Sequence, residues 1–422
     1  MAYDETTYRR DAGDQGDSNP AAYRAGLAAT DFRARRRDLD PDTGDSDGVQ
    51  LVEPAGEVSR RGAADDDGRD RLGIHIGWEI VLLLAVAAIA YLLYRLDPAS
   101  LRRPALDTLL ITGASIGLLA LGAGLTLRAG VPNLAVGPIA LGAALHFAEN
   151  GDEGLAQAAV PALIVAAAGG LLVAVLVLVL HVPGWAATLG GAMGVIVYDQ
   201  LRTAPVNVQA GYDPADHAFF LFGGFALLAV IGGALATVPP IRRLVGRQRP
   251  AGDPARRRGA GAVFPVVAAL VLSSVFAVGA GVLMAAQSTT PIAPGTGLEW
   301  TGLAFGAALL AGTSAYGRRG GIFGTLLAVA GLTLFLDYAA RRDFDIALFA
   351  IAACAIGGGL IVTRLVETYG RPLPVPAMTD WNAAASTGTA WTPDMPEQWS
   401  ASAEQPAGRP IRWDEGPWGS AR

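Results

Sequence analysis

The feature of this sequence that most constrains its fold is a series of about ten long apolar runs between residues 74 and 366. Most of these runs approach or exceed the roughly 20 residues that an α-helix needs to cross the hydrocarbon core of a bilayer. Of the 422 residues, 52% are hydrophobic and 17% are charged. Because lipid offers backbone N–H and C=O groups no hydrogen-bond partner, such runs fold as helices inside a membrane. The sequence therefore predicts an all-α, polytopic membrane protein of about ten transmembrane helices.

Composition divides the chain into five segments. Residues 1–72 are acidic and lack apolar periodicity, which predicts a disordered cytoplasmic tail. Residues 73–238 and 262–369 form a first and a second membrane half, separated by an Arg-rich cytoplasmic loop at 239–261. Residues 370–422 are rich in Pro and Trp and predict a second disordered cytoplasmic tail. The tails could instead act as interaction modules, with Trp side chains as docking anchors.

Charge gives the expected orientation in the membrane. Seven Arg residues lie between positions 242 and 258, and positive charge in a short loop marks the cytoplasmic side. With six spans before this loop and four after it, both termini are expected in the cytoplasm. The acidic turn at 149–153 and the Arg-free loop at 203–216 are then outside. Five arginines disagree with this arrangement: Arg95, Arg102, Arg103, Arg341 and Arg342.

Two stretches look like broken helices. In residues 291–327, two short apolar runs are joined by turns rich in Gly, Ser and Thr, and residues 128–148 have the same character. Pairs of interrupted segments in the two halves of a membrane protein indicate a transport site. The sequences LAVGPIALGAAL (134–145) and LEWTGLAFGAAL (298–309) also align at an offset of 164, which predicts an inverted repeat.

The stretch 291–327 resembles the ABC importer permeases of the ribose and xylose type, which are related to the branched-chain amino-acid permeases. The resemblance covers roughly residues 113–366. In the first half it is carried by GVPNLAVG and VPGWAATLG. In the second half it is carried by Gly295, Thr296, Gly297, Glu299, Gly312, Thr313, Ser314, Gly317, Gly321, Gly324, Thr325, Leu326 and Leu327.

The resemblance implies a permease subunit in a bacterial cytoplasmic membrane that moves a small neutral solute, with a sugar as the expected substrate, by alternating access. Its implied partners are a second permease copy or a paralogue, cytoplasmic ATP-binding subunits and an extracytoplasmic solute-binding protein, with no nucleic acid. The central loop departs from the family's coupling helix, because Pro250 and Pro254 disfavour a long helix there. The residues that stand in the place of the coupling segment are Arg243, Gly252, Asp253, Ala255, Arg256 and Gly259.

Candidate pathway residues are polar groups beside the Pro and Gly breaks. Asn133 and Thr188 are neutral donors and acceptors that suit an uncharged polyol, although both could simply cap helix starts. Deep charge in a membrane is costly, so Asp199, with its neighbours Tyr198 and Gln200, is the strongest ionisable candidate. The second half contributes Thr296, Thr313 and Ser314.

No enzymatic chemistry is indicated. The chain has no Lys, so it cannot contain the ATP-binding sequence G-x-x-x-x-G-K-[ST], and any ATP hydrolysis is expected in a separate subunit. Its single cysteine, Cys354, excludes an intrachain disulfide and a multi-cysteine metal site, and no cofactor is expected. Two alternatives stay open: a non-transporting membrane scaffold derived from this family, or an ion-coupled secondary transporter using Asp199 and Asp337 as proton sites.

Overall fold

The computed structural model describes residues 72–209, 211–245, 263–315, 317 and 320–370. Its regular structure consists of helices. These are α1 (Leu72–Leu96), α2 (Ala105–Ala129), α3 (Val136–Asn150), α4 (Leu155–Val179), α5 (Gly184–Gln200), α6 (Ala218–Thr237), α7 (Pro239–Val245), α8 (Val263–Ala286), α9 (Leu298–Leu310), α10 (Gly324–Arg341) and α11 (Leu348–Gly370). Short 3-10 helices at Pro98–Leu101, Gly151–Glu153 and Pro214–His217 lie in the connections.

The all-α, multi-pass character predicted from the sequence is confirmed in coarser form. Seven of the described helices are long and apolar enough to cross a membrane: α1, α2, α4, α6, α8, α10 and α11. The helices α3, α5 and α9 are shorter, with 15, 17 and 13 residues. The expected number of about ten membrane spans is therefore not confirmed, since seven of the described helices have the length and composition of a span. The two predicted tails, at 1–72 and 370–422, lie outside the described residues except for residues 72 and 370, which belong to α1 and α11.

The centre of the bundle is formed by α2 and α8, which pack against each other. In the most apolar 18-residue part of α2 and of α8, 61% of the residues are buried. The corresponding share in the other five long helices is 17–39%. Small side chains allow the close approach, since Gly122 of α2 lies against Ser273 of α8. Helix α8, of the second half, contacts α3 and α4, and α2, of the first half, contacts α9 and α10. Each of the two central helices therefore packs on helices of the other membrane half.

Side-chain and backbone contacts show which connections lie at the same end of the bundle. Val206 and Ile292 form an antiparallel β-bridge, with N–O distances of 2.9 and 2.8 Å. Gln209 N donates to Ala148 O at 2.9 Å, which brings the turn after α3 to the same place. We call this end of the bundle the Arg202 end, after the residue that follows α5. The segments 149–153 and 203–216, which charge had placed together on the outside, thus lie at one end.

Several of the arginines that disagreed with the charge-based topology also lie at the Arg202 end, and two of them have acidic partners. Arg341 pairs with Asp97 at 2.6 Å and with Asp337 at 2.7 Å. Arg103 pairs with Asp107 at 3.4 Å. Asp337, a predicted proton site, is therefore engaged in an ion pair.

The opposite end, which we call the Arg128 end after the last turn of α2, holds the break between α9 and α10. Side chains of helix α1 form hydrogen bonds with the backbone on both sides of this break. The indole Nε1 of Trp78 donates to Leu310 O at 2.8 Å, at the end of α9. The carboxylate of Glu79 accepts from Phe323 N at 2.6 Å and Gly324 N at 3.1 Å, at the start of α10. Glu79 thus caps a helix 244 residues away in the chain.

Candidate functional site

The two broken helices meet at their N-terminal ends. Gly137 N of α3 donates to Thr301 Oγ1 of α9 at 3.0 Å, and that hydroxyl donates to Leu134 O at 3.1 Å. Gly295 lies near Leu141, so the two segments run in opposite directions through the contact. The connections that lead into them, 130–135 and 288–297, start from opposite ends of the bundle. The first turns of α3 and α9 therefore lie side by side and antiparallel, and each helix continues away from the junction.

Glycine is required at this junction. A Cβ on Gly137 would collide with Gly297 O and would lie 2.5 Å from Thr301 N. Gly297 itself has φ of 66°, in the left-handed region that side-chain-bearing residues rarely adopt. Positions 137 and 301 are separated by 164, which is the offset that aligns the two sequence repeats. Aligned positions that touch each other are expected where a two-fold pseudo-axis passes between repeats.

A cavity of about 590 Å³ lies on the other side of α3. Its walls come from α3, α4, α5 and α8, and Val165 and Leu172 of α4 are both exposed where it opens. Its volume falls within the usual range of small-molecule sites. Four of the lining residues have polar side chains: Asn133, His146, Tyr198 and Ser274. Two of the sequence-predicted pathway residues, Asn133 and Tyr198, are among them.

Most of this polar lining is already hydrogen-bonded within the protein. Asn133 Nδ2 donates to Ser273 Oγ at 2.8 Å, and its Oδ1 accepts from Ala135 N at 3.1 Å. Ser274 Oγ donates to Leu270 O at 2.9 Å. Asn133 thus orders the loop before α3, although its side chain does not cap the first turn of that helix.

Tyr198 belongs to a polar cluster at the Arg202 end of the cavity. Arg202 makes a two-pronged ion pair with Glu149 of α3, at 2.6 and 2.7 Å, and its Nη2 donates to the Tyr198 hydroxyl at 3.1 Å. The hydrogen bonds that the guanidinium donates to the Glu149 carboxylate raise the pKa of Arg202. The guanidinium also lies over the Tyr198 ring, 4.7 Å from its centroid. This cluster fastens the end of α5 to the end of α3.

Two polar groups near the cavity have no partner among the described residues. The imidazole Nε2 of His146 is buried and unpaired, and both carboxylate oxygens of Asp199 are buried and unpaired. Asp199 is 0% exposed. A Cβ on Gly142 would lie 2.7 Å from Asp199 Oδ1, so the carboxylate packs against Gly142, which lines the cavity. Buried polar groups without partners are rare in proteins and mark places where a ligand, ion or water is expected.

The remaining predicted residues lie elsewhere. Thr188 is fully buried and donates to Pro132 O at 2.8 Å, whereas Gln200 is exposed. Thr296 Oγ1 accepts from Leu298 N at 3.4 Å, at the start of α9. Thr313 and Ser314 are buried at the Arg128 end, in the break between α9 and α10. Of the coupling-loop residues, Arg243 lies in α7, and Gly252, Asp253, Ala255, Arg256 and Gly259 lie outside the described residues.

Sequence reasoning missed two residues of the site. His146 was not selected from the sequence, yet it lines the cavity. Thr301 was not selected, although the offset of 164 pairs it with Gly137 and would have found it. Within the described part of the chain, no three His, Cys, Asp or Glu residues are grouped so that they could hold a metal ion. Comparison of the chain with known protein families, characterised proteins and solved structures found no match.

Proposed function

We propose that this protein is the transmembrane permease subunit of an importer for a small neutral solute. The observation that carries the proposal is the antiparallel junction of two short helices, α3 and α9, in which Gly137 contacts Gly297 and Thr301. Helix starts buried inside a bundle, at the contact between two interlocked halves, are a common construction of transport sites.

The solute path includes the cavity between α3, α4, α5 and α8. No Asp, Glu or Arg side chain is among the residues that line this cavity, which favours an uncharged solute. The same helix, α3, forms the junction with α9 on one side and a wall of the cavity on the other. A shift of one half against the other would therefore be transmitted directly to the cavity, as alternating access requires.

The assembly that we propose contains a second copy or a paralogue of this chain, two cytoplasmic ATP-binding subunits and an extracytoplasmic binding protein. It works in a bacterial cytoplasmic membrane with both termini in the cytoplasm. These proposals, and a sugar as the first substrate class to test, rest on the sequence resemblance.

Uptake measurements test the proposal. Membrane vesicles from cells that express the chain with its neighbouring genes should accumulate a labelled small neutral solute when ATP is supplied inside, with sugars as the first class to test. This uptake should be lost when the chain is deleted. An ATP-binding subunit should also co-purify with the chain in mild detergent. Recovery of no ATP-binding subunit, together with absence of uptake, would favour the non-transporting scaffold.

The second candidate function is an ion-coupled secondary transporter, and Asp199 is the observation that favours it. Its carboxyl group is fully buried beside the cavity, and neither oxygen has a partner among the described residues. Ionisable groups inside a membrane protein are costly and are usually kept for function. In this case uptake would follow an imposed proton or sodium gradient and would persist after ATP depletion. Loss of that gradient-driven uptake in Asp199→Asn would identify the carboxyl group as the coupling site.

A further inference from the structure

The walls of the cavity between α3, α4, α5 and α8 consist almost entirely of hydrocarbon. Apart from Asn133, His146, Tyr198 and Ser274, the lining residues are Gly, Ala, Pro, Val, Leu or Ile. A hydroxyl group moved from water to such a wall without a hydrogen bond is disfavoured, because it loses its water partners and gains none. A polyol has a hydroxyl on almost every carbon, so its binding would be disfavoured for each of these groups.

One polar side chain that lines the cavity, His146, has an unpaired ring nitrogen, Nε2. Asn150 Nδ2 donates to His146 O at 2.8 Å and also lies 3.3 Å from His146 Nδ1. In the tautomer whose Nδ1 accepts from this amide, Nε2 carries the proton and is an unpaired donor. The Asp199 oxygens on the adjacent helix, α5, are unpaired as well, but Asp199 is not among the residues that line the cavity. Gly142, whose missing side chain leaves room for the carboxylate, lies one helical turn before His146 on α3.

These observations together define a class of ligand. We propose that the cavity binds an uncharged molecule with a compact hydrocarbon body and one head group that accepts a hydrogen bond, such as an alcohol. The body lies against α4 and α8, and the head group lies beside His146. This inference rests on the proposed function in taking the cavity as the solute site, and it replaces the sugar that the resemblance implies.

Binding of small probes to the full-length protein in phospholipid nanodiscs tests the substrate class. Three probes separate the alternatives: cyclohexylmethanol, which has one hydroxyl; methylcyclohexane, which has none; and xylitol, which is a polyol. Saturation-transfer NMR with competition by excess unlabelled probe measures saturable binding. We expect saturable binding of cyclohexylmethanol, weaker binding of methylcyclohexane and none of xylitol. Saturable binding of xylitol alone would overturn the proposal.

Two glycines allow the cavity to be filled without disturbing the fold. An added Cβ on Gly169 of α4 or Gly194 of α5 would meet no atom within 4 Å, and both residues line the cavity. Gly169→Phe combined with Gly194→Phe should abolish saturable binding of cyclohexylmethanol. Gly224→Phe, on α6, is the matched control, because Gly224 also has no neighbour within 4 Å and lies outside the cavity. Unchanged binding in the double variant would place the ligand elsewhere.

The head-group contact is tested with His146→Phe. Loss of one neutral hydrogen bond is expected to weaken binding of cyclohexylmethanol about three- to tenfold. Binding of methylcyclohexane should not change, because it has no head group. An equal loss for both probes would mean that His146 only shapes the cavity, and the assigned head-group contact would be wrong.

The binding assay and the uptake assay test the two proposals independently, so either proposal can be refuted without the other. Saturable binding of cyclohexylmethanol without any transport would keep the ligand class and remove the permease proposal. Sugar uptake by a protein that binds xylitol and not cyclohexylmethanol would keep the permease and remove the ligand class.

Discussion

The most direct test of the fold is the removal of the Glu79 carboxylate. Glu79 lies in α1, is 8% exposed, and accepts hydrogen bonds from Phe323 N and Gly324 N at the start of α10. The first N–H groups of a helix have no partner within the helix, and an anion at this position also interacts favourably with the helix dipole. Gly321 is part of the same arrangement, because a Cβ there would collide with the Glu79 side chain.

The size of the effect follows from the two hydrogen bonds. Glu79→Ala leaves two backbone donors buried without an acceptor, and each such loss costs about 1–3 kcal/mol. We therefore expect a loss of about 2–6 kcal/mol in the free energy of unfolding. Glu79→Gln keeps one oxygen acceptor and loses the charge, so its loss should be smaller, about 1–2 kcal/mol, since charge-assisted hydrogen bonds are roughly twice as strong as neutral ones.

Unfolding of the full-length protein by sodium dodecyl sulfate in mixed micelles, followed by near-ultraviolet circular dichroism, measures these losses. Glu153→Ala is the matched control, because Glu153 is an exposed acidic residue in the 3-10 helix Gly151–Glu153. Its substitution should change the free energy of unfolding by less than about 0.5 kcal/mol. If Glu79→Ala lost no more stability than Glu153→Ala, the capping of α10 by α1 would be refuted.

Two further predictions test the junction of the halves and the pairing of the loops. Gly137→Ala should destabilise the protein by about 1–3 kcal/mol, because its Cβ collides with the start of α9, whereas Gly169→Ala, in open space, should have little effect in the same unfolding assay. Val206→Cys with Ile292→Cys, in a Cys354→Ala background, should form a disulfide on mild oxidation, since Cα atoms in a hydrogen-bonded antiparallel pair are about 5.5 Å apart. A mobility difference between oxidised and reduced protein, after cleavage between the two positions, detects the cross-link.

The sequence predicted the helical membrane fold because lipid leaves long apolar runs no alternative to the helix. It also located the breaks before α3 and α9, since Gly and Pro interrupt helices through local backbone chemistry that is visible in a few residues. The aligned repeats even contained the contact between Gly137 and Thr301, although the alignment did not show that the two positions touch.

The roles of single polar residues could not be predicted in the same way. The sequence gives no sign that Glu79 caps α10, because its partners lie 244 and 245 positions away. His146 gave no signal, since an isolated His near a helix end is common. The α4 wall of the cavity carries no signal either, because a helix that is apolar all round shows no periodicity to mark which side faces the cavity.

The packing of α5 connects these observations. Among the described helices it packs mainly on α3 and α4, whereas α2 and α8 are held at the centre of the bundle. It is fastened near its start by the hydrogen bond from Thr188 to Pro132 O, and after its end by the ion pair between Arg202 and Glu149. Between these points it presents Gly191, Gly194, Val195 and Tyr198 to the cavity. Because Pro132 lies in the loop before α3 and Glu149 lies in α3, the two fastenings hold the α5 wall of the cavity against α3 and the loop that precedes it.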